Sequence, residues 1–376
     1  MVFDGLFGWL LPFLFVLTVV VFFHELGHFL VARWNGVKVD AFAVGFGPEL
    51  IGRDDRHGTR WKLCAIPLGG YVKFMGDADA SSRPDGEALA SLSQEEREGA
   101  FEHKALWRKS LVVAAGPIAN FILAIVIYTA MFLHYGDTRV LPTVGTVVAG
   151  SAAEAAGVRV GDRIVAIDGD PVTRFNDIQR ATTLNTDVPL RFTIERDGER
   201  LDLTIAPRMT EREDGFGNKF KTGMVGIAPL ASQENIQRVD LGLGGALWKA
   251  VDRVWLIITS TFNFLGEMIF GKQDARELRG PLGIADMTSQ VATQGLLELI
   301  SLAALLSVSI GLMNLFPIPV LDGGHLVLYA LEAVRGKALS MRMQEIVFRV
   351  GITCVLGLMV FATSNDIMRY VGRWFG

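Results

Sequence analysis

Four long apolar stretches dominate the pattern of hydrophobic and polar positions along the chain. None of them contains Asp, Glu, Lys or Arg, and they cover residues 7–23, 111–134, 299–321 and 350–365. Uncharged stretches of this kind are typical of transmembrane helices, because about 20 apolar residues cross the hydrocarbon core of a bilayer. The pattern therefore predicts a polytopic α-helical membrane protein with four transmembrane helices.

A fifth apolar segment, residues 254–266, is uncharged but short, and charged residues stand on both sides of it. Its length favours an amphipathic helix at the membrane surface, and a fifth transmembrane span is the alternative. The first apolar stretch is not a typical cleaved signal peptide, because no Lys or Arg precedes it and no small-residue cleavage site follows. We therefore expect it to remain as a transmembrane helix.

Basic residues near the ends of the spans predict the orientation of the chain in the membrane. Arg33 and Lys38 follow the first span, and Arg108 and Lys109 precede the second. The segment between these two spans is therefore predicted to be cytoplasmic. With four spans, residues 135–298 then lie on the opposite side of the membrane.

Residues 140–207, between the second and third spans, alternate apolar and polar positions in short runs separated by Gly-Asp turns. This pattern predicts a β-rich domain. The run VGTVVAGSAAEAAGVRVGDRIVAIDGDPV within it resembles bacterial PDZ domains, which bind peptides by adding a strand to the edge of a sheet. A β-rich spacer without a ligand is the alternative.

The predicted elements divide the chain into four parts. Residues 1–139 form an N-terminal membrane part, and residues 140–207 form the PDZ-like domain. Residues 208–295 form an extracytoplasmic linker with the amphipathic helix, and residues 296–376 form a C-terminal membrane part. Within the first part, residues 77–102 are polar and predict a surface loop.

Composition changes this picture little. A mean hydropathy of +0.35 agrees with a membrane protein. The net charge of −4 gives no indication of a nucleic-acid partner. The two cysteines, Cys64 and Cys354, stand in dissimilar surroundings and are not predicted to pair, and the sequence has no Cys-rich metal motif.

The first span ends in a candidate metal-binding motif, the run HELGH at residues 24–28. His24 and His28 are four positions apart, so on a helix they point to one face and both imidazoles can bind one zinc ion. Glu25 stands beside that face and can act as the general base for an attacking water. Ionisable groups within a membrane span are costly and usually functional, which favours this interpretation.

A catalytic zinc site needs a third protein ligand. The third span runs directly into NLFPIPVLDGGH, where Pro317 and Pro319 interrupt a helix. Broken backbone at membrane depth is tolerated where it lines protein or a wet cavity, so Asp322 is the first candidate for the third ligand. His325 is a competing candidate, and a loop cap with a DGG turn is the alternative role for Asp322.

Together, an HExxH motif in the first span, the later N-x-x-P-x-P-x-L-D-G run and a PDZ-like domain between them resemble the site-2 protease family of intramembrane zinc metalloproteases. The bacterial branch typified by the regulator of sigma-E protease is the closer match, and the runs GFGP, IPLGGYVKFMG, GPIAN and GPLGIA belong to the resemblance. It implies one zinc ion per chain, held by His24, His28 and Asp322, with Glu25 as the catalytic acid and base.

The resemblance also implies a substrate site. Asn314 is expected near the substrate backbone, and IPLGGYVKFMG is expected to form a β-hairpin that dips into the membrane from the cytoplasmic side. An edge strand of this hairpin could pair with an extended substrate, and a purely structural hairpin is the alternative. The residues of that strand are Tyr71, Val72, Lys73, Phe74 and Met75.

The implied function is regulated intramembrane proteolysis in a bacterial inner membrane, with anti-sigma factors or remnant signal peptides as example substrates. The expected partners are transmembrane protein substrates, the lipid bilayer and a peptide ligand of the PDZ-like domain, with no nucleic acid. The active site is expected toward the cytoplasm and the PDZ-like domain outside it. The chain has room for one such domain, whereas the best-known member has two.

Ser309 is a second departure from the family pattern, because this branch often has Asn at that position. The presence of Ser predicts altered substrate handling. The alternative function is a membrane-anchored PDZ adaptor with a structural zinc site. Such a closed site would need a fourth protein ligand, for which His325 and His134 are the candidates. A transporter lacks support, since the sequence shows no inverted repeat.

Overall fold

The computed structural model describes residues 2–77, 92–213, 219–271 and 278–375. The chain separates into two compact units. The first, called the membrane unit below, consists of Met1–Thr129, Leu247–Gly266 and Ala275–Gly376. The second, called the β-rich unit, consists of Ala130–Ala246 and Glu267–Asp274.

The described helices and strands are numbered here in chain order. The helices are α1 Val2–Trp34, α2 Gln94–Gly99, α3 Leu106–Tyr135, α4 Ala152–Ala155, α5 Phe175–Leu184, α6 Leu243–Ile269, α7 Pro281–Gln294, α8 Leu296–Asn314, α9 Asp322–Arg335 and α10 Met341–Phe375. The strands are β1 Val39–Asp54, β2 Arg60–Phe74, β3 Asp137–Val140, β4 Val144–Val147, β5 Arg163–Ile167, β6 Asp170–Pro171, β7 Leu190–Arg196, β8 Glu199–Ile205, β9 Arg208–Glu213, β10 Lys219–Met224, β11 Ile227–Pro229 and β12 Ile236–Val239.

The prediction of four membrane-spanning helices is confirmed in length and composition. Four of the described helices contain a stretch long and apolar enough to cross a membrane, namely α1, α3, α8 and α10. Those stretches are Leu10–Trp34, Leu106–Tyr135, Leu296–Asn314 and Arg342–Val371. Helix α6 contains the predicted segment 254–266 but is not among them.

Helix α1 ends shortly after the HELGH motif. The side-chain amide of Asn35 donates to the backbone oxygen of Val31 at 2.8 Å. Gly36 follows with a φ of +69°, a left-handed conformation that favours glycine and stops the helix. The two histidines of the motif therefore lie in the last turns of the first span.

Strands β1 and β2 form an antiparallel pair in which β2 folds back along β1. Ala43 of β1 pairs with Lys62 on one side and with Tyr71 on the other. The bend lies at Gly69, which has a φ of +115°. Among the described residues, the segment 70–74 (called the edge segment below) therefore has a strand neighbour on one side only.

This register corrects the expected hairpin within IPLGGYVKFMG, residues 66–76. The two halves of this run do not pair with each other. Ile66 pairs with Phe46, and Val72 pairs with Phe42, so both halves pair with β1. The reason is that β1 offers both of its edges, which no local turn signal in the run reveals.

The β-rich unit contains a four-stranded sheet in the order β6-β5-β7-β8 and three two-stranded pairs. Its core holds apolar side chains from the strands and from α5, with Ile164, Phe192 and Ile194 fully buried. The pairs β4–β11 and β3–β12 join the two ends of the unit. Strand pairing therefore continues past residue 207, the predicted domain boundary.

Helix α7 begins within the GPLGIA run, and a side chain from α10 caps its N-terminus. The Asp366 carboxylate accepts from the backbone N–H groups of Gly280 at 3.1 Å and Gly283 at 2.9 Å. A Cβ on either glycine would lie 2.7 Å from an Asp366 oxygen, so the close approach requires glycine. Of the predicted surface loop 77–102, residues 78–91 lie outside the described residues.

Candidate active site

Three side chains of the membrane unit converge on one point. Nε2 of His24 lies 3.3 Å from Nε2 of His28. The Asp322 oxygen Oδ2 lies 3.2 Å from the first of these nitrogens and 3.5 Å from the second. The structure thus brings together the three residues that the sequence proposes as metal ligands, although Asp322 is far from the histidines along the chain.

Nδ1 of His28 lies 2.9 Å from the backbone oxygen of Val112 on α3. A carbonyl oxygen only accepts hydrogen bonds, so Nδ1 carries the ring proton and donates it. Nε2 of His28 then keeps its lone pair and faces the other two atoms of the group. A contact between helices therefore fixes the tautomer that metal binding needs.

His24 has a polar neighbour on α3 as well. The side-chain amide nitrogen of Asn120 lies 3.3 Å from Nδ1 of His24, and Asn120 is fully buried. The amide oxygen Oδ1 of Asn120 has no hydrogen-bond partner among the described residues. A 180° turn of the amide would direct this oxygen to the ring, where it accepts the Nδ1–H that leaves Nε2 of His24 free.

Small residues let α1 and α3 approach closely at the site. A Cβ on Gly27 would overlap with the backbone oxygen of Ala115. A Cβ on Gly116 would overlap with Nε2 of His28 and lie 2.9 Å from Cε1 of His24. Gly116 therefore provides the space that the two imidazoles occupy, a role in which no larger residue fits.

Asp322 is the first residue of α9 and follows the non-helical segment 315–321 with its two prolines. Val320 has a φ of +85°, an outlier for a β-branched residue. A Cβ on Gly323 would overlap with backbone oxygens of the preceding segment, so the chain is folded tightly over the start of α9. Such strained backbone persists where its surroundings hold it, and here it directs Asp322 toward the histidines.

The three converging atoms fit a zinc ion. Ligands at zinc distances of 2.0–2.2 Å in a tetrahedron lie roughly 3.3–3.6 Å apart, close to the separations given above. With the ring protons on Nδ1, neither Nε2 atom can donate to Asp322, and Oδ2 of Asp322 accepts no hydrogen bond among the described residues. Three buried acceptor atoms in contact repel one another unless a cation lies between them.

The closed zinc site that the adaptor alternative requires is not formed among the described residues. The group that could hold a metal has three members and no fourth protein ligand. His325 lies one turn along α9 from Asp322, with its ring beside Tyr329 at 6.4 Å between centroids. His134 belongs to the β-rich unit. A three-ligand group with one position open is typical of catalytic zinc.

Glu25 lies between the metal group and the edge segment. The backbone N–H of Val72 donates to the Glu25 carboxylate. A Cβ on Gly70 would lie 3.2 Å from Cγ of Glu25 and 2.8 Å from the backbone oxygen of Ala43, so this glycine lets the strand approach α1. The candidate general base is therefore held by the strand that was predicted to bind substrate.

A cavity of about 870 Å³ connects these parts of the membrane unit. Its walls include the metal group, Glu25 and Asn314, the last residue of α8. Tyr71, Val72 and Phe74 also line it, whereas Lys73 and Met75 are not among its lining residues. Ser309 donates to the backbone oxygen of Leu305 within its own helix at 3.0 Å.

Two functional positions escaped the sequence argument, Gly116 and Asn120. Both belong to the GPIAN run, which contributed only to the family resemblance. The available signal was a lone Asn, together with Gly-Pro, in a long uncharged span. It could not be interpreted without knowing that α1 and α3 meet at this point.

The fold and the site combine four helices apolar enough to cross a membrane with three converging side chains that could hold a metal ion. The sequence matches Peptidase family M50 over residues 12–358, and the chain belongs to this metalloprotease family. A protein of Agrobacterium fabrum named "Putative zinc metalloprotease Atu1380" is 49% identical over 365 residues, covering 97% of both chains. "Metalloprotease MmpA" of Caulobacter vibrioides is 40% identical over 384 residues, covering 96% of both.

Proposed function

We propose that this protein is an intramembrane zinc metalloprotease of the site-2 type, which hydrolyses peptide bonds in transmembrane segments of other membrane proteins. One observation carries the proposal. The three candidate ligands and the neighbouring carboxylate meet at the end of α1, a helix apolar enough to span a bilayer. Ionisable groups at such a position are costly and are retained for function.

The residues of the site have separate roles in this proposal. His24, His28 and Asp322 would hold one zinc ion, which would supply a Lewis acid for the scissile carbonyl and for the attacking water. Glu25 takes a proton from the attacking water and returns it to the leaving amine. The Val72 N–H orients the Glu25 carboxylate between these two steps.

The edge segment and Asn314 form the proposed substrate site. A transmembrane helix hides its carbonyls in its own hydrogen bonds, so it must be extended before it can be cut. Pairing with residues 70–74 would hold it extended beside Glu25. Asn314 lines the same cavity, and its amide is a group that can hydrogen-bond the substrate backbone.

We further propose that the protein belongs to the branch of the regulator of sigma-E protease and acts in regulated proteolysis in a bacterial inner membrane. In this proposal the β-rich unit is a single PDZ domain outside the cytoplasm that binds a peptide, and the active site faces the cytoplasm. Anti-sigma factors and remnant signal peptides are the example substrates. The sequence resemblance and the sheet with its packed helix α5 support these points.

The test is the variant Glu25→Gln in the full-length protein, compared with His24→Ala. Glu25→Gln should keep zinc, measured by elemental analysis, and lose cleavage of a co-expressed single-span membrane protein by at least about 100-fold, because Gln cannot take a proton. His24→Ala should lose both zinc and cleavage. Undiminished cleavage by zinc-loaded Glu25→Gln would contradict the proposal.

A further inference from the structure

The outer side of the edge segment carries the hydrogen-bonding groups that a substrate strand would use. Alternate residues of a strand point their N–H and C=O groups to the same side. The Met75 N–H donates to the backbone oxygen of Lys38 at 3.0 Å, toward β1. The N–H groups of Val72 and Phe74 therefore point the other way, outward from the sheet.

The outward position at Phe74 is closed by a side chain of the protein itself. The Phe74 N–H donates to Oδ2 of Asp77 at 3.0 Å. The Asp77 N–H donates in turn to the backbone oxygen of Phe74 at 3.1 Å, in a turn where Gly76 has a φ of +92°. Asp77 therefore forms hydrogen bonds with both the backbone N–H and the backbone oxygen of Phe74.

This closure is fixed in place and buried. The ring of Phe74 stacks on Phe101 with 4.8 Å between centroids, and Phe74 is 5% exposed. Asp77 is 6% exposed. A carboxyl group is thus buried to cover one backbone N–H, an arrangement that desolvation makes unfavourable for the charged form.

The charges around Asp77 add to this effect. Burial raises the pKa of Asp77 to about 7, and Glu102 and Asp40 contribute in the same direction. The hydrogen bond from the Phe74 N–H and, more weakly, the charge of Lys73 act in the opposite direction. Asp40 lies on β1, Lys73 on β2 and Glu102 in the 3₁₀ turn Phe101–His103. Asp77 therefore changes charge near neutral pH while it holds the Phe74 N–H.

We propose that Asp77 ends the substrate-pairing edge at Phe74 and so fixes the register in which an extended substrate lies beside Glu25. This inference rests on the proposed function. A substrate strand can pair with Gly70 and with the backbone oxygen of Val72, whose N–H is held by Glu25, but it cannot continue to Phe74 while Asp77 is in place. Asp77 is a positioning residue in this scheme, because it acts on the substrate through the strand.

The test compares cleavage positions made by full-length variants. The substrate is a single-span protein with a uniform Ala/Leu segment, so that no side chain favours one register, and product termini are identified by mass spectrometry. Asp77→Ala exposes the Phe74 N–H and should add a product displaced by two residues, because a strand keeps its faces only when it shifts by two. The gain of one hydrogen bond should raise the share of this product about 5-fold.

Two control variants separate register from folding. Asp77→Asn keeps a neutral, weaker acceptor for the Phe74 N–H and should give the displaced product at a share below that of Asp77→Ala and equal to that of the wild type at low pH. Asp55→Ala removes a similar cap at the other turn of the sheet, where Asp55 accepts from the N–H groups of His57 at 2.8 Å and Thr59 at 3.0 Å. Asp55→Ala should leave the cleavage position unchanged, since that turn lies away from the edge segment.

A pH series on the wild-type protein gives a second readout that does not depend on the Asp77→Ala variant. Below about pH 7, Asp77 gains a proton and becomes a weaker acceptor, so the displaced product should increase as pH falls from 8 to 6. The same ratio should stay constant with Asp77→Asn. If Asp77→Ala does not fold, the pH series on the wild type and on Asp77→Asn test whether Asp77 sets the register of the substrate.

Two results would overturn the inference. One is a folded, zinc-loaded Asp77→Ala that makes only the wild-type product. The other is a wild-type product ratio that does not change with pH. Failure of the proposed function is distinguishable, because the wild-type protein would then cut the substrate at no position.

Discussion

The two units of the protein each bury a cluster of polar side chains, and the clusters differ in one respect. In the β-rich unit, both oxygens of Asp162 accept from Arg196 at 2.7 Å, and the backbone N–H of Arg159 adds a third bond at 2.7 Å. Burial alone would raise the pKa of Asp162, but these donors outweigh it and hold that pKa below its ordinary value. Every acceptor in this cluster has a donor.

The cluster of the membrane unit has acceptors without donors. His24, His28 and Asp322 direct two ring nitrogens and one carboxylate oxygen at a common point. Helix packing, a helix break and a buried amide hold them there. The first cluster is complete within the protein and stabilises its fold, whereas the second has a position that a cation would fill, as the proposed function requires.

The largest expected difference concerns stability without metal. In chelator-treated protein, Asp162→Ala should lower the free energy of unfolding of the β-rich unit by about 3 kcal/mol, because Arg196 is left without its carboxylate. Asp322→Ala should change the stability of the membrane unit by less than about 1 kcal/mol or raise it, because it removes an acceptor that has no donor. Hydrogen exchange of the amides in β7 and α9 measures both effects.

If Asp322→Ala lowered the stability of α9 as much as Asp162→Ala lowers that of β7, the contrast between the two clusters would be contradicted. It would mean that Asp322 stabilises the fold through a contact other than metal. With zinc restored, Asp322→Ala should lower the stability of the membrane unit, since the variant then loses the stabilisation that metal binding provides.

The second prediction concerns the space around the ligands. Gly116→Ala places a methyl group where Nε2 of His28 lies, so zinc affinity should fall by more than about 100-fold, beyond the usual effect of disturbing a supporting residue. Gly357→Ala is the matched control, because its Cβ would meet nothing within 4 Å in another apolar helix. Competition with a chelator measures both affinities.

Equal zinc affinity in the two glycine variants would show that the imidazoles can move aside without loss. The cluster would then be less rigid than its helix contacts indicate. The helix itself should tolerate both changes, since Ala favours an α-helix over Gly by about 1 kcal/mol.

The sequence could predict the spans and the three candidate ligands because their signals are local. Uncharged stretches reveal helices such as α1, and a fixed spacing of chemically distinctive residues reveals HELGH. The partner Asp322 was predicted from its place after a broken span. These signals need no knowledge of which helices touch.

The remaining features depend on contacts between distant segments. The space at Gly116 exists only because α3 packs on α1, and the edge segment exists because β1 pairs with β2 on both sides. Strands β11 and β12 pair with strands from the start of the unit, so the periodicity of residues 208–245 alone did not indicate them. A single sequence carries no direct signal for such pairings.

The smallest expected effect tests whether the buried amide of Asn120 belongs to the metal cluster. Asn120→Ala removes the group beside Nδ1 of His24, so the ring loses its orientation and zinc affinity should fall about 10- to 100-fold. Asn120→Asp keeps an acceptor for Nδ1–H and should retain affinity closer to the wild type. Ser307→Ala is the matched control, because Ser307 donates to the backbone oxygen of Asn120 at 2.8 Å and leaves the amide untouched. If Asn120→Ala binds zinc as tightly as Ser307→Ala, the amide serves helix packing alone, and the two polar clusters of the protein differ by less than the geometry indicates.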